Sequence, residues 1–467
     1  MNVSIIPRRR RLRKSNHMPA LRYHLLVDWL LALGMLMALE TQLRSESSIA
    51  GPGEILLAAW LGLLLLGEQI RPSMRLGKVT LEIAAFWSIF AFALCLGTMQ
   101  SIVSATPVDV PLSLHDVIAD SLVAAICVVL TLGPDAALRV RRTQWNVMAL
   151  GCGLLALQLA NAAGLFVLSD IDPWYWDRMR GWTANPNQFA LLCLLLAFVS
   201  LTVAETEAGS RRAVAIFCSA LAFIGGLYAK SNAYLIVVVA GLGFFLGAKT
   251  LRWFGRLERR RIPALSFCAA AAALLLGFAL LTAPLIESKG DLMRDAGGVA
   301  RDNRAELEDS STRTQLWAQA LQRGADSWLA GLGPGPHLDI PNVVLAGRRG
   351  GKEPANMQHP DPGLAPNFEA HNTVLELFVQ GGLIAVSAFL WIVGLAVWRS
   401  WRAGMNGMVA ALLAVNAFGS FHVVFRHPLV WFVICGALIV TGSPARIVRR
   451  RMAEPLPVAG LPMRFQP

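Results

Sequence analysis

What most constrains this chain is the regular return of apolar stretches, each about 15–22 residues long, close to the roughly 20 needed to cross a ~30 Å hydrocarbon core. They predict helices at about 25–43, 54–68, 79–99, 116–133, 147–168, 187–204, 213–229, 233–248, 263–284, 373–398, 407–422 and 428–442. A single hydrophobic core stops growing near a length of 467 residues, so the bilayer is the natural solvent for such a chain. Only 15% of the residues are charged, against roughly a quarter in soluble domains. The expected fold is an all-α polytopic membrane protein with about twelve transmembrane helices and one large loop between the ninth and tenth. Its expected parts are a basic N-terminus (1–24), helices one to nine (25–284), the loop (285–370), helices ten to twelve (371–442) and a basic C-terminus (443–467).

The net charge of +12 does not point to nucleic acid, because the basic residues form no single patch. They sit in short clusters between the apolar stretches, and about two-thirds of the 42 lysines and arginines fall on one side if the loops alternate. The richer side, taken as cytoplasmic, holds both termini, Arg139, Arg141 and Arg142, Lys249 to Arg261, and Arg399 with Arg402. The run from Arg8 to Lys14 precedes a long first stretch with no small-residue cleavage signal, so an uncleaved first helix is expected. All seven cysteines lie in apolar stretches without a C-x-x-C pair, and read as small buried hydrophobes rather than a metal or disulfide framework. Asp28 and Glu82 lie near predicted helix ends and Asn161 is the main polar residue within a span. Ionisable groups at the midplane, the mark of a transport path, are not apparent.

Polar chemistry gathers instead at the outer edge. In Arg178-Met-Arg180-Gly181-Trp-Thr-Ala-Asn185-Pro186-Asn187, Asn185 suits a helix N-cap and Pro186 the first helical position. The helix they open would point unpaired N–H groups outward, where an anion can bind, with planar arginine forks just upstream. The same residues would serve equally as a capped helix beside a Trp/Tyr belt. His371 precedes Thr373-Val-Leu-Glu376, a T-x-x-E capping box. An imidazole there could act as a general base near neutral pH, or be merely solvated. Ser311 to Trp317 reads as the start of an amphipathic helix, leading to the rigid turn Gly331-Leu-Gly333-Pro-Gly335-Pro336, which is neither a Walker loop nor a dinucleotide fingerprint. With Lys230 and Arg426 added, Arg178, Arg180, Arg313 and His371 form an expected basic rim suited to a diphosphate.

These stretches resemble the O-antigen ligase and polymerase family of bacterial cell-surface polysaccharide assembly. The resemblance rests on Arg178, Gly181, Asn185, Pro186 and Asn187; on Thr312, Arg313, Trp317, Gly331, Gly333 and Gly335; and on His371, Asn372, Leu375, Glu376 and Gly381. It covers roughly residues 145–440, and the first four helices carry no motif. The resemblance implies an inner-membrane glycosyltransferase that moves a glycan from undecaprenyl diphosphate to an acceptor glycolipid or growing polysaccharide at the periplasmic face. Inversion at the anomeric carbon, no metal and no cofactor are implied as well. It implies that Arg178 and Arg313 hold the diphosphate, where the basic rim adds Arg180 and Lys230, and that His371 activates the acceptor hydroxyl. Asn185, Asn187, Asn372, Glu376 and Arg426 are expected in support. The chain departs from the family at Lys230-Ser231-Asn232, where relatives often carry Ser-Arg. A polymerase joining lipid-linked repeats uses the same donor. A flippase for lipid-linked saccharide would share the basic rim, and an envelope scaffold is the remaining alternative. The segment 338–366 and the roles of Arg426 and His427 are not legible at this level.

Overall fold

The computed structural model describes residues 18–44, 50–70, 76–133, 135–257, 300–341 and 367–442. The helices are α1 (Met18–Met37), α2 (Pro52–Ile70), α3 (Lys78–Val103), α4 (Val110–Thr131) and α5 (Ala136–Ala162). A two-stranded hairpin, β1 (Trp174–Tyr175) and β2 (Arg178–Met179), precedes α6 (Pro186–Thr206), α7 (Gly209–Leu227) and α8 (Asn232–Leu257). After them come α9 (Ala300–Asp326), α10 (Thr373–Ala403), α11 (Asn406–Gly419) and α12 (Pro428–Gly442). A helix stands at every predicted apolar stretch except 263–284, which lies outside the described residues, as do Arg8 to Lys14, the C-terminal part and 342–366.

Among the described residues, seven helices are long and apolar enough to cross a membrane, α3 to α8 and α10. Four shorter apolar helices, Leu25–Met37, Pro52–Leu66, Asn406–Gly419 and Pro428–Gly442, accompany them. The chain is a polytopic helical membrane protein. Helices α6 and α12 are buried on nearly every face, which is why they are apolar all round. Around them pack α7, α11 and α5 against α6, and α10 against α3, α9, α11 and α12. The lipid-facing sides are apolar too, with Phe92, Leu390 and Phe217 exposed. Cys95 is likewise exposed on α3, against expectation, whereas Cys127, Cys152, Cys193, Cys218 and Cys435 are buried.

One end of the bundle is closed by ion pairs. Glu82 takes both guanidinium nitrogens of Arg399 at 2.6 and 2.7 Å, Lys249 meets Glu205 at 2.8 Å, and Arg141 meets Glu207 at 2.5 Å. Asp28 pairs with Arg142. Because α1 begins at Met18, Asp28 lies mid-helix rather than near an end, and its partner on α5 explains how it is tolerated.

Helix α10 is broken. Gly381 and Gly382 leave helical geometry, Gly382 with φ +61°, which frees backbone groups in the middle of an apolar helix. The glycine-rich turn after α9 takes them up: Leu332 N donates to Val379 O at 2.7 Å and Gly333 N to Gln380 O at 2.8 Å. Leu383 N donates in turn to Leu329 O at 3.0 Å. Irregular backbone at membrane depth is tolerated only when satisfied inside protein in this way. The fit is tight, since a Cβ on Gly97 of α3 would lie 2.4 Å from Gly333 N.

Candidate active site

The hairpin presents Arg178. Tyr175 pairs with Arg178 and Trp174 with Met179, and Met179 N bonds Tyr228 O at 2.9 Å, docking the hairpin on the end of α7. Arg178 Nε donates to Ala229 O at 3.0 Å and Nη2 to Asn187 Oδ1 at 3.3 Å, so the first turn of α6 orients the guanidinium. Asn185 is the N-cap expected of it, its side chain accepting from Asn187 N and Gln188 N at 3.0 Å, with Pro186 following. Gln42, just after α1, clamps the loop by donating to Asp172 O, Gly181 O and Thr183 O at 3.2, 3.0 and 2.7 Å.

Two expected rim residues are committed elsewhere. Arg180 is 1% exposed and turns inward, its Nε on Asp172 O at 2.9 Å and its Nη2 on Asp172 Oδ2 at 3.3 Å. It holds the loop together rather than lining the rim. Lys230 points outward, but Asp177 binds its Nζ at 2.6 Å, and this contact lowers the Asp177 pKa. Asn161 closes α5 rather than lying within its span, and accepts from Trp182 Nε1 at 3.2 Å.

Helix α9 carries Arg313 near its middle, so Ser311 to Trp317 continues a helix instead of starting one. After the glycine turn, Leu338 and Phe368 exchange backbone hydrogen bonds of 3.0 and 2.8 Å, bringing the loop's far end beside α9. Phe368 then meets the His371 ring edge-on at 5.3 Å. His371 itself has φ +48°, a left-handed conformation uncommon for a residue with a Cβ.

The expected capping box is corrected. The cap of α10 is Asn372, whose side chain accepts from Val374 N and Leu375 N at 3.0 and 3.1 Å. Thr373 Oγ1 donates instead to His422 O at 2.7 Å and accepts from Val424 N at 3.0 Å. Asn372 Nδ2 adds a bond to Ser420 O at 2.9 Å. Together they stitch the start of α10 to the turn between α11 and α12.

That turn is where the expected residues meet. The His422 imidazole has its pKa pushed well below the usual value, first by burial and then by its neighbours Arg313, His371 and Arg178. Three groups from α9, the α10 approach and the hairpin therefore act on one imidazole. All three are half-buried, accessible from the same end of the bundle. Arg180 does not join them.

Beneath lies a cluster the sequence reading missed. Arg426 meets Glu369 at 2.5 Å, Asp116 at 2.8 Å and Glu376 at 3.5 Å. Burial disfavours its charge, yet Glu369, Asp116, Glu376 and Asp120 outweigh that and raise its pKa. Glu376 Oε2 also accepts from Ala370 N at 2.8 Å and Oε1 from Gln380 Nε2 at 2.9 Å, and the same Nε2 reaches Gly335 O at 3.1 Å. Arg426 is thus a neutralising hub, and ionisable groups do lie within helices: Asp116 and Asp120 are buried on one face of α4. Their i, i+4 spacing in an apolar helix was the available signal. His427, beside Arg426, has its pKa lowered to about 4 by burial.

Among known proteins, a family model described as O-antigen ligase matches residues 190–390, from the first turns of α6 to the middle of α10. Arg313 and His371 lie inside the match; Arg178, Asn187, His422 and Arg426 lie outside it. No curated protein matches the chain.

Proposed function

We propose, from the premise that residues 190–390 are an O-antigen ligase family domain, that this membrane glycosyltransferase moves a glycan from a polyprenyl diphosphate to an acceptor hydroxyl. The supporting observation is that Arg178, Arg313 and His371 are all half-buried at one end of the bundle, with Asn372 and Thr373, next to His371, bonded to the turn that carries His422. That end faces the periplasm in this reading, with the cytoplasmic side at the Glu82–Arg399 pair, and the membrane is the bacterial inner membrane. The donor carries undecaprenyl diphosphate, and its two phosphates sit against Arg178 and Arg313. Guanidinium forks match phosphate oxygens and offset the charge that develops as the diphosphate leaves. His371 takes the proton of the acceptor hydroxyl as its oxygen attacks the anomeric carbon from the opposite side. The carbon–oxygen bond to phosphate breaks, the configuration inverts, and polyprenyl diphosphate departs.

In this reading Arg180 braces the loop through Asp172, and Lys230, in an exposed pair with Asp177, stands at the edge of the diphosphate seat. Asn187 orients Arg178, and Asn372 with Glu376 fixes the approach to His371. The acceptor is a glycolipid, the ligase reaction, following the description of the matched family.

The test is a gel of surface glycolipids beside an extract of lipid-linked sugars, from a deletion strain carrying wild type or His371→Ala. Loss of at least ~100-fold in transfer is expected with the protein still in the membrane. Long glycans should then accumulate on the lipid carrier. Single repeats accumulating instead would mean a polymerase, and wild-type patterns in both fractions would sink the catalytic role of His371.

A further inference from the structure

The end of α9 presents an apolar tip that the proposed reaction does not use. Trp328 is 85% exposed and Leu329 44%, and both hold left-handed backbone, φ +57° and +63°. Glycine is the usual residue in that conformation, and a side chain there carries a conformational cost. The helix end is nevertheless firmly built. Trp328 N donates to Ala325 O at 3.0 Å, Leu329 N to Gly324 O at 3.1 Å, and Gly331 N to Ser327 Oγ at 3.0 Å. Leu321, 54% exposed, continues the apolar stripe about two turns earlier.

The depth of this tip follows from helix arithmetic. The Glu82–Arg399 pair marks one boundary of the hydrocarbon, since paired charges are placed at such boundaries more cheaply than inside. About twenty residues at 1.5 Å each span ~30 Å, which puts the opposite boundary near residue 102 of α3 and residue 379 of α10. The α9 tip is fastened at that level by three contacts. Leu383 N bonds Leu329 O, Ser101 Oγ bonds Leu332 O at 2.5 Å, and α9 crosses α10 where Gly324 lies against Phe378. Ile102 and Leu383, at the same level, are 74% and 49% exposed and belong to the lipid-facing surface of α3 and α10.

We infer that the tip of α9, Trp328 with Leu329 and Leu321, is immersed in the bilayer at the boundary carrying His371, and that lipid is its partner. Trp is suited to this level, with an apolar ring and a polar N–H. Burial in lipid offsets the backbone cost and anchors α9, and with it Arg313, against the membrane. The turn that heals the α10 break is then seated from both sides, by α3 and by lipid.

The test uses the full chain, with its native cysteines replaced, in liposomes carrying nitroxide-labelled lipids. An environment-sensitive fluorophore is attached at Trp328→Cys and, as an aqueous reference, at Asp339→Cys, a position exposed to solvent. Leu321→Cys serves as a second probe should the 328 variant fold poorly. The lipid-borne nitroxide should quench position 328, or 321, at least ~3-fold more than 339, and aqueous iodide should do the reverse. Iodide quenching at 328 and 321 equal to that at 339 would overturn the assignment. So would protection from both quenchers, which would show protein, a second copy or another chain, covering the tip.

Discussion

The two ends of the bundle handle charge in opposite ways. At the Glu82 end, carboxylates meet cations nearly one to one: Asp28 with Arg142, Glu82 with Arg399, Glu205 with Lys249 and Glu207 with Arg141. At the His371 end, Asp116, Glu369 and Glu376 crowd on the single Arg426, with Asp120 close enough to act on it. Arg178 there is held by a carbonyl and an amide oxygen, which orient a guanidinium without neutralising it. Balanced pairs fasten helices. The other end gathers its buried carboxylates on Arg426, while Arg178 and Arg313 stand nearer the surface, where an anionic substrate can reach them.

The comparison breaks most severely at Arg426. Arg426→Leu strands buried carboxylates and should cost about 3–5 kcal/mol, read as a loss of thermal stability in detergent. Arg399→Leu leaves one carboxylate near the membrane boundary, where water reaches it, and should cost no more than ~1–2 kcal/mol. Equal losses would mean that the two ends are held in the same way. Gly382→Ala comes next. Its Cβ would lie 1.9 Å from Leu329 O at a positive φ, so α9 must lift from the α10 break. A cost of about 1–3 kcal/mol is expected, together with faster proteolysis within α9.

The smallest effect is a pH dependence confined to the His371 end. His427 and His337 have pKa values lowered by burial to about 4, and His422 is shifted the same way. The folded state keeps them neutral, whereas the unfolded chain protonates them near pH 6.5. Stability is therefore full above pH 6.5 and falls as the pH drops toward 4. Each group contributes at most ~1.4 kcal/mol per pH unit. Melting curves of His427→Gln between pH 7 and 5 should show a shallower decline than wild type, and an unchanged slope would remove His427 from this account.

Much of this was legible in the sequence because it is local. Apolar length placed the helices, Asn185-Pro186 marked the start of α6, and the order of Arg178, Arg313 and His371 carried the resemblance to the O-antigen ligases. What failed depends on partners distant in the chain. The T-x-x-E pattern suggested a Thr373 cap, but the 422–424 turn claims its hydroxyl and Asn372 takes the amides. Arg180 and Arg178 look alike two residues apart, yet the strand ends at Met179, and the loop beyond it turns Arg180 inward to Asp172 while Arg178 stays at the rim. Asp116 meets Arg426 across more than three hundred residues, and Gln42 its loop across more than a hundred. The first helices, without a motif of their own, supply these braces: Gln42 after α1, Gly97 and Ser101 on α3, Asp116 on α4.

The central claim is that Arg178 and Arg313, at the His371 end, grip the donor's diphosphate. Its most direct test is glycan transfer by purified protein in nanodiscs, with a synthetic polyprenyl-diphosphate donor, comparing Arg178→Lys, Arg313→Lys and Arg399→Lys. Lysine keeps the charge but loses the fork. The account predicts that donor KM rises ~10-fold or more for the first two, about 1.4 kcal/mol each, and stays at the wild-type value for the third. Unchanged donor KM at Arg178 and Arg313, or an equal rise at Arg399, would contradict it.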